Sequence, residues 1–322
     1  NLAPPGLYSE VMNRRSFGMA AAAGLLGAAR ASAAETPAAA LLVLSKAERL
    51  LSIVDPVNHK VVAQMPSGPD PHEVTASSDG QFAYVSNYGG GRYNTITVVD
   101  LVHQKTVQAI DLGALRGPHG LMFAAGKVWF TAEAAKVIGS YDPASKKIDF
   151  VLGTGQNRTH MIWVSSDAQK IVTSNVNSAT MTLIEKSAGR AAGASPTGPP
   201  AEWDETVVPV GRGAEGFDVS PNGREIWAAN ALDGTVSVID YPGKRVVATL
   251  DADVSGANRL KFTPDEQRVL VSTLRGPELV ILDASTRQTV KRLKVGRGAA
   301  GIQMKPDGST AYVACTPDDN VA

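Results

Sequence analysis

The sequence predicts an all-β chain, a seven-bladed β-propeller of four-stranded antiparallel blades. Three observations predict it. A phrase of about forty residues recurs along the chain. Within each copy, short apolar runs are separated by turns that carry Asp-Gly or Asn-Gly. Composition counts against long helices, with 31 Gly, 19 Pro and many Val, Ile and Thr in short runs.

The clearest copy spans residues 214–250. Gly216-Phe217-Asp218-Val219-Ser220 leads into the turn Pro221-Asn222-Gly223, and Glu225-Ile226-Trp227-Ala228-Ala229-Asn230 follows. Thr235-Val236-Ser237-Val238-Ile239-Asp240 and Arg245-Val246-Val247-Ala248-Thr249-Leu250 complete it. These are four strands, A to D, with hairpin-length connections. Copies begin near His72, His119, His160, Glu215, Asn258 and Ala300, at separations of about 47, 41, 55, 43 and 42 residues. The long interval holds residues 187–203, rich in Ala, Gly and Pro, and reads as a loop inserted between strands C and D. Ahead of the first copy, residues 41–44, 50–55 and 60–63 supply strands B, C and D of a further unit that lacks strand A. The last copy stops at the start of strand C. The expectation is therefore a C-terminally incomplete propeller (residues 35–322) without its closing strand.

Tyr84-Val85-Ser86-Asn87, Trp227-Ala228-Ala229-Asn230 and Tyr312-Val313-Ala314-Cys315 resemble the Tyr-Val-Thr-Asn core of the YVTN-repeat, YncE-like propellers. The resemblance covers nearly all of the chain after residue 34. It implies the fold and leaves the activity open. One unit, Gly117-Pro118-His119-Gly120 followed by residues 128–133, also resembles a streptogramin lyase blade. No catalytic residue is carried over from that local match.

Residues 1–34 read as upstream residues plus a leader. Met12 is the first plausible start, and residues 1–11 are set outside the fold. Arg14-Arg15-Ser16-Phe17 precedes a small apolar run and the cleavage-like Ala31-Ser32-Ala33, which is the pattern of a signal peptide and resembles a twin-arginine signal. The expected location is exported, periplasmic or extracellular. The run is too short and too rich in Ala for a membrane span, so no transmembrane segment is expected in the mature chain.

Lys plus Arg equals Asp plus Glu at 31 each, and removal of residues 1–34 leaves about −2. That balance offers no general phosphate-binding surface, so no nucleic-acid partner is expected. A monomer is expected. The single cysteine, Cys315, lies in an apolar run and reads as a small buried hydrophobe.

Residues that recur in every blade serve the blade. Asp55, Asp100, Asp142, Asp240 and Asp283 end strand C and read as turn formers, with Glu185 in the remaining place. Asn87, Asn175 and Asn230, at the end of strand B, read as loop braces rather than ligand contacts. Residues that differ between blades are the functional candidates. The start of strand A reads Pro71-His72-Glu73, Pro118-His119-Gly120, Thr159-His160-Met161, Ala214-Glu215-Gly216, Ala257-Asn258-Arg259 and Ala299-Ala300-Gly301. Strand A is innermost and the B–C loops emerge on the same face, so these positions converge on one mouth of the channel.

His72, His119, His160 and Glu215 are thus the ligand or metal candidates, with Glu73, Asn258 and Arg259 in support. Convergent imidazoles with a carboxylate suit a divalent transition metal or an acid–base pair. Three functions compete. One is a binding or interaction propeller with a small-ligand or metal site. The second is a metal-assisted lactonase or lyase using the same ring. The third is an envelope interaction protein with a solvated channel. The sequence leaves enzyme and binding protein open, and with them the cofactor and the partner.

Overall fold

The computed structural model describes residues 7–12, 35–187 and 202–322. The residues read as a leader, 13–34, lie outside the described residues, as do 188–201 of the expected insertion. Seven small sheets are arranged around a central axis.

The first comprises β1 (Leu7–Met12), β2 (Ala40–Ser45), β3 (Leu50–Val54) and β4 (Val61–Pro66). The second comprises β5 (Pro71–Ala76), β6 (Phe82–Asn87), β7 (Thr95–Asp100) and β8 (Lys105–Asp111). The third has β9 (Pro118–Ala124), β10 (Lys127–Ala132), β11 (Val137–Asp142) and β12 (Lys147–Gly153). The fourth has β13 (Thr159–Val164), β14 (Lys170–Asn175), β15 (Thr180–Lys186) and β16 (Trp203–Pro209). The fifth has β17 (Ala214–Val219), β18 (Glu225–Asn230), β19 (Thr235–Asp240) and β20 (Arg245–Asp251). The sixth has β21 (Ala257–Phe262), β22 (Arg268–Thr273), β23 (Glu278–Asp283) and β24 (Thr289–Lys294). The seventh is three-stranded, with β25 (Ala299–Met304), β26 (Ala311–Cys315) and β27 (Asn320–Val321). Apart from two single turns of 3-10 helix, the described elements are all strands, and none is a helix long and apolar enough to cross a membrane.

Each blade is a meander, because successive strands joined by short turns pair with their sequence neighbours. Strands B and C are apolar on both faces because each face packs on an adjacent blade. In β18 and β19, Trp227, Ala229, Val236 and Val238 join a cluster with Leu260, Val269 and Val271 of the sixth blade. Ala228 and Ile239 face the other way, towards Met181 and Leu183 of the fourth. Strand D is outermost and only half covered, which explains the alternation of exposed and half-buried residues in β12 and β20.

In one respect the pairing differs from the expectation. Residues 7–12, set outside the fold on sequence, pair as β1 along the inner edge of β2, from Leu7↔Ala40 to Met12↔Ser45. This pairing is parallel, whereas every other described ladder is antiparallel. An uncovered inner edge of β2 would leave a row of unpaired backbone N–H and C=O groups, and β1 satisfies that demand. It lies between β25 and β5, where the ring closes.

The repeated polar residues behave as blade parts. Asp55, Asp142 and Asp283 accept backbone N–H groups two residues ahead at 2.8–3.0 Å. Asn87 is buried, donates to Ser67 O at 2.8 Å and accepts from Thr95 and Thr97 at 2.9 Å. Asn175 and Asn230 hold the corresponding hydroxyls of strand C. Cys315 is buried. The backbone flanking the long insertion is joined by Ser187 N donating to Glu202 O at 3.0 Å, between β15 and β16.

Candidate functional site

A repeated irregularity aims the candidate residues into the channel. Where strand A begins, its register against strand B shifts, so that two residues stand opposite one. His72 and Glu73 face Ser86, His160 and Met161 face Ser174, and Glu215 and Gly216 face Ala229. His119 and Gly120 face Thr131, and Asn258 and Arg259 face Ser272. Such a bulge re-aims a side chain that a regular strand would turn towards a neighbouring blade.

In the second, third, fourth and sixth blades the hydroxyl opposite the bulge also ties adjacent blades together. Ser86 Oγ accepts from Glu73 N at 3.0 Å and donates to His119 O of the next blade at 3.0 Å. Thr131 Oγ1 repeats this with Gly120 N at 2.9 Å and His160 O at 2.7 Å. Ser174 does so with Met161 N and Glu215 O, and Ser272 with Arg259 N and Ala300 O. The backbones pass so closely that a Cβ on Gly120 would stand 2.6 Å from His160 O. Latched backbones of this kind bring imidazoles from separate blades into contact.

The three histidines form one stack. Ring centroids are 4.2 Å apart for His72 and His119, and 3.8 Å for His119 and His160. Tyr88 packs against the first two at 4.9 and 5.0 Å. His160 Nδ1 donates to Glu133 Oε1 at 2.5 Å, and Tyr88 donates its hydroxyl to Glu133 Oε2. His160 Nε2 lies 3.1 Å from Glu215 Oε1, but off the line of a hydrogen bond, so the contact is chiefly one of charge. Arg158 stands 3.5 Å from Glu133 and 3.7 Å from Glu215. Lys46 Nζ donates to His72 Nδ1 at 2.6 Å and pairs with Asp70 at 3.0 Å. Across the channel, Arg259 pairs with Glu73.

Burial and charge divide the stack. Burial, then the nearby Lys46 and Arg259 cations, hold His72 well below the usual imidazole range. Burial, then its two imidazole neighbours, does the same to His119. Burial also acts against charge on His160, but Glu133 and Glu215 outweigh it and raise its pKa. Burial pushes the Glu215 carboxyl up, yet His160, Arg158 and Arg259 overcome it and bring the group down to about 2. His119 Nδ1 is buried without a hydrogen-bond partner.

All seven sequence candidates line one cavity of about 270 Å³ at the channel mouth. His72, His119 and His160 form its histidine side, Glu215 borders them from the fifth blade, and the Glu73–Arg259 pair spans it. Asn258 is buried in its wall, with its carbonyl accepting from Arg259. One ligand atom each from His119, Glu133 and His160 lies within 4.8 Å of the others, and the same holds for His72, Glu73 and His119.

Sequence reasoning missed Lys46, Tyr88, Glu133 and Arg158. Three of them share a place: Lys46, Tyr88 and Glu133 each follow the last residue of strand B, after Ser45, Asn87 and Ala132. The same place in later blades holds Val176, Ala231, Leu274 and Thr316. The departure of these residues from the apolar Val176, Ala231 and Leu274 at the same position in later blades is the signal that marks them.

No family model matches the chain, and no curated protein matches it. Among solved structures, hydrazine synthase from Kuenenia stuttgartiensis is similar with a TM-score of 0.72, over 88% of this chain and 91% of that chain. At 17% identity the likeness shows the fold alone, and this chain is a seven-bladed β-propeller.

Proposed function

We propose that the protein is an exported, YVTN-type binding propeller that holds a divalent transition metal at its channel mouth, with His119, His160 and Glu133 as ligands. The observation that carries this reading is the buried stack in which His119 Nδ1 has no partner while His160 Nδ1 and Glu133 Oε1 share a proton at 2.5 Å. A buried, unpartnered imidazole nitrogen asks for an ion or a donor. An ion that replaces the shared proton gains two ligands, and His119 supplies the third. Tetrahedral bonds of about 2.0–2.1 Å need ligand atoms roughly 3.4 Å apart, within a modest adjustment of the observed group.

The surroundings support the same assignment. With Nδ1 on the ion, His160 keeps its hydrogen on Nε2, 3.1 Å from Glu215 Oε1, and a small turn of the ring would give the arrangement in which a carboxylate orients a metal-bound imidazole. Tyr88 and Arg158 hold Glu133 from its outer side. The resemblance of residues 12–34 to a twin-arginine leader supports the exported setting, and cleavage after Ala33 would remove β1 with that leader and free the inner edge of β2.

Metal analysis of the purified protein tests the reading. About one equivalent of Zn²⁺ or Co²⁺ is expected per chain, and its loss is expected in the double variant His119→Ala/His160→Ala. A wild-type protein that takes up neither ion rules the site out. A second reading, a metal-assisted lactonase or lyase, is favoured by one feature: three protein ligands leave a coordination position open, as in catalytic zinc sites. Metal-dependent lactone hydrolysis that disappears with Glu133→Gln supports it.

A further inference from the structure

The charges around the cavity point to what the loaded site binds. Lys46, Arg158 and Arg259 face Asp70, Glu73, Glu133 and Glu215. With the imidazoles neutral, as metal ligation requires, the site carries one excess negative charge. A divalent ion reverses it to one excess positive charge. A single anionic group then neutralises the site.

Two donors are placed to receive it. Lys46 Nζ lies 2.6 Å from His72 Nδ1, and an ammonium only donates, so Nδ1 accepts and the ring hydrogen is on Nε2. Lys46 is fixed in turn by Asp70 Oδ1 at 3.0 Å and Pro71 O at 3.2 Å. His72 therefore offers Nε2–H to the cavity that it lines rather than a lone pair to a cation. Arg158 also lines the cavity, and its contacts at 3.5 and 3.7 Å are longer than good hydrogen bonds. Its guanidinium holds the two glutamates by charge and keeps donors for a ligand.

We infer that the metal-loaded site takes a small monocarboxylate, with one oxygen at the open position of the ion and its charge shared by His72 Nε2–H and Arg158. This rests on the metal reading above. A cavity of about 270 Å³ limits the acid to a small one. Lys46 is a positioning residue, acting through the tautomer of His72.

Cobalt(II) is a suitable probe, because its visible spectrum responds to a change of ligand. Cobalt loading is read first, then acetate is titrated into loaded and metal-free protein, with ethylammonium as the cationic control. The expected result is a saturable spectral change with acetate, no binding measured by calorimetry to the metal-free protein, and none of ethylammonium to either form. His72→Phe, which keeps a ring in the stack without the donor, is expected to weaken acetate at least tenfold at unchanged cobalt stoichiometry, and Arg158→Gln to weaken it at least tenfold in the fraction of protein that has loaded cobalt. Failure to load cobalt overturns the metal reading and this inference with it. Cobalt loading without an acetate response overturns this inference alone. So does acetate binding that is equal in metal-free protein, or that survives both substitutions.

Discussion

The channel mouth has two sides built on one scaffold and filled with opposite chemistry. At the second residue of strand A, blades two to four place His72, His119 and His160, whereas the seventh places Ala300. At the residue after strand B, the first three blades place Lys46, Tyr88 and Glu133, whereas blades four to six place Val176, Ala231 and Leu274. The bulge at the start of strand A is the same on both sides, in β13 as in β25. The blade thus fixes where a side chain points, and the two variable positions decide what it does there. The chemistry of the mouth is a choice of residues at constant geometry, with the imidazoles gathered on one side and Glu215 and Arg259 reaching it from the other.

The largest effect is expected where the scaffold itself is tested. A Cβ on Gly120 meets His160 O at 2.6 Å, and one on Gly216 meets Asn258 O at 2.3 Å. Both partners are backbone and cannot swing away. Gly120→Ala, on the histidine side, and Gly216→Ala, on the other, are expected to cost about 1–3 kcal/mol or more each, as overpacking does. Urea midpoints measure this. If only one variant is destabilised, the two sides do not share one scaffold.

A somewhat smaller loss is expected from the latches. Thr131→Val keeps the volume but leaves Gly120 N and His160 O without their buried partner. Unsatisfied buried groups of this kind cost about 1–3 kcal/mol. Thr131→Ser keeps the hydroxyl and is expected to recover most of the loss. Equal stability of the Val and Ser variants would show that the hydroxyl is not what binds the blades.

How much of this was legible in the sequence follows from the same comparison. The fold was legible because each blade repeats its strands and turns, and His72, His119, His160 and Glu215 stood out against that repeat. Their contact was not legible. The repeat does not say how closely residues of separate blades approach, and the latched approach of neighbouring strands is what brings the rings to 3.8–4.2 Å. Glu133 and Tyr88 are hidden in the sequence because they follow strand B, next to the position where Asn87, Asn175 and Asn230 repeat as braces of the blade. Arg158 precedes β13 within a loop of its own, so no column of the repeat reports it. The β1 pairing was hidden for a different reason: its parallel direction breaks the repeat.

Opposite titration within one stack comes next in size. His72 and His119, with lowered pKa values, are expected to stay neutral below pH 6.5, while His160 keeps its proton above it. The signs for stability follow. The ion pairs of His160 contribute fully below pH 6.5 and are lost as pH rises through its raised folded value. The other two rings cost stability as pH falls below 6.5, where the unfolded chain takes up protons first. Nitrogen-detected NMR of the three rings in metal-free protein measures each step. Glu133→Gln is expected to lower the His160 value. Three rings titrating together near 6.5 would remove the division.

The smallest effect is expected at the bulges of the second to sixth blades, at the one strand-B place where the fifth blade departs from its neighbours. Ser86, Thr131, Ser174 and Ser272 each carry a hydroxyl, but the fifth blade has Ala229, buried opposite Glu215 and Gly216. Asn258 O, the acceptor that such a hydroxyl would reach, instead accepts from Arg259 Nη1 at 3.2 Å. Ala229→Ser therefore adds a latch where an arginine already serves, and the net gain is expected to be at most about 1 kcal/mol, the usual worth of one hydrogen bond. The informative readout is the difference between backgrounds. With Arg259→Met the carbonyl loses its donor, and the serine is expected to stabilise that variant more than the wild type. If the serine gives the same change in both, Arg259 is not standing in for the missing hydroxyl, and its place in the ring is explained by its pairing with Glu73 alone.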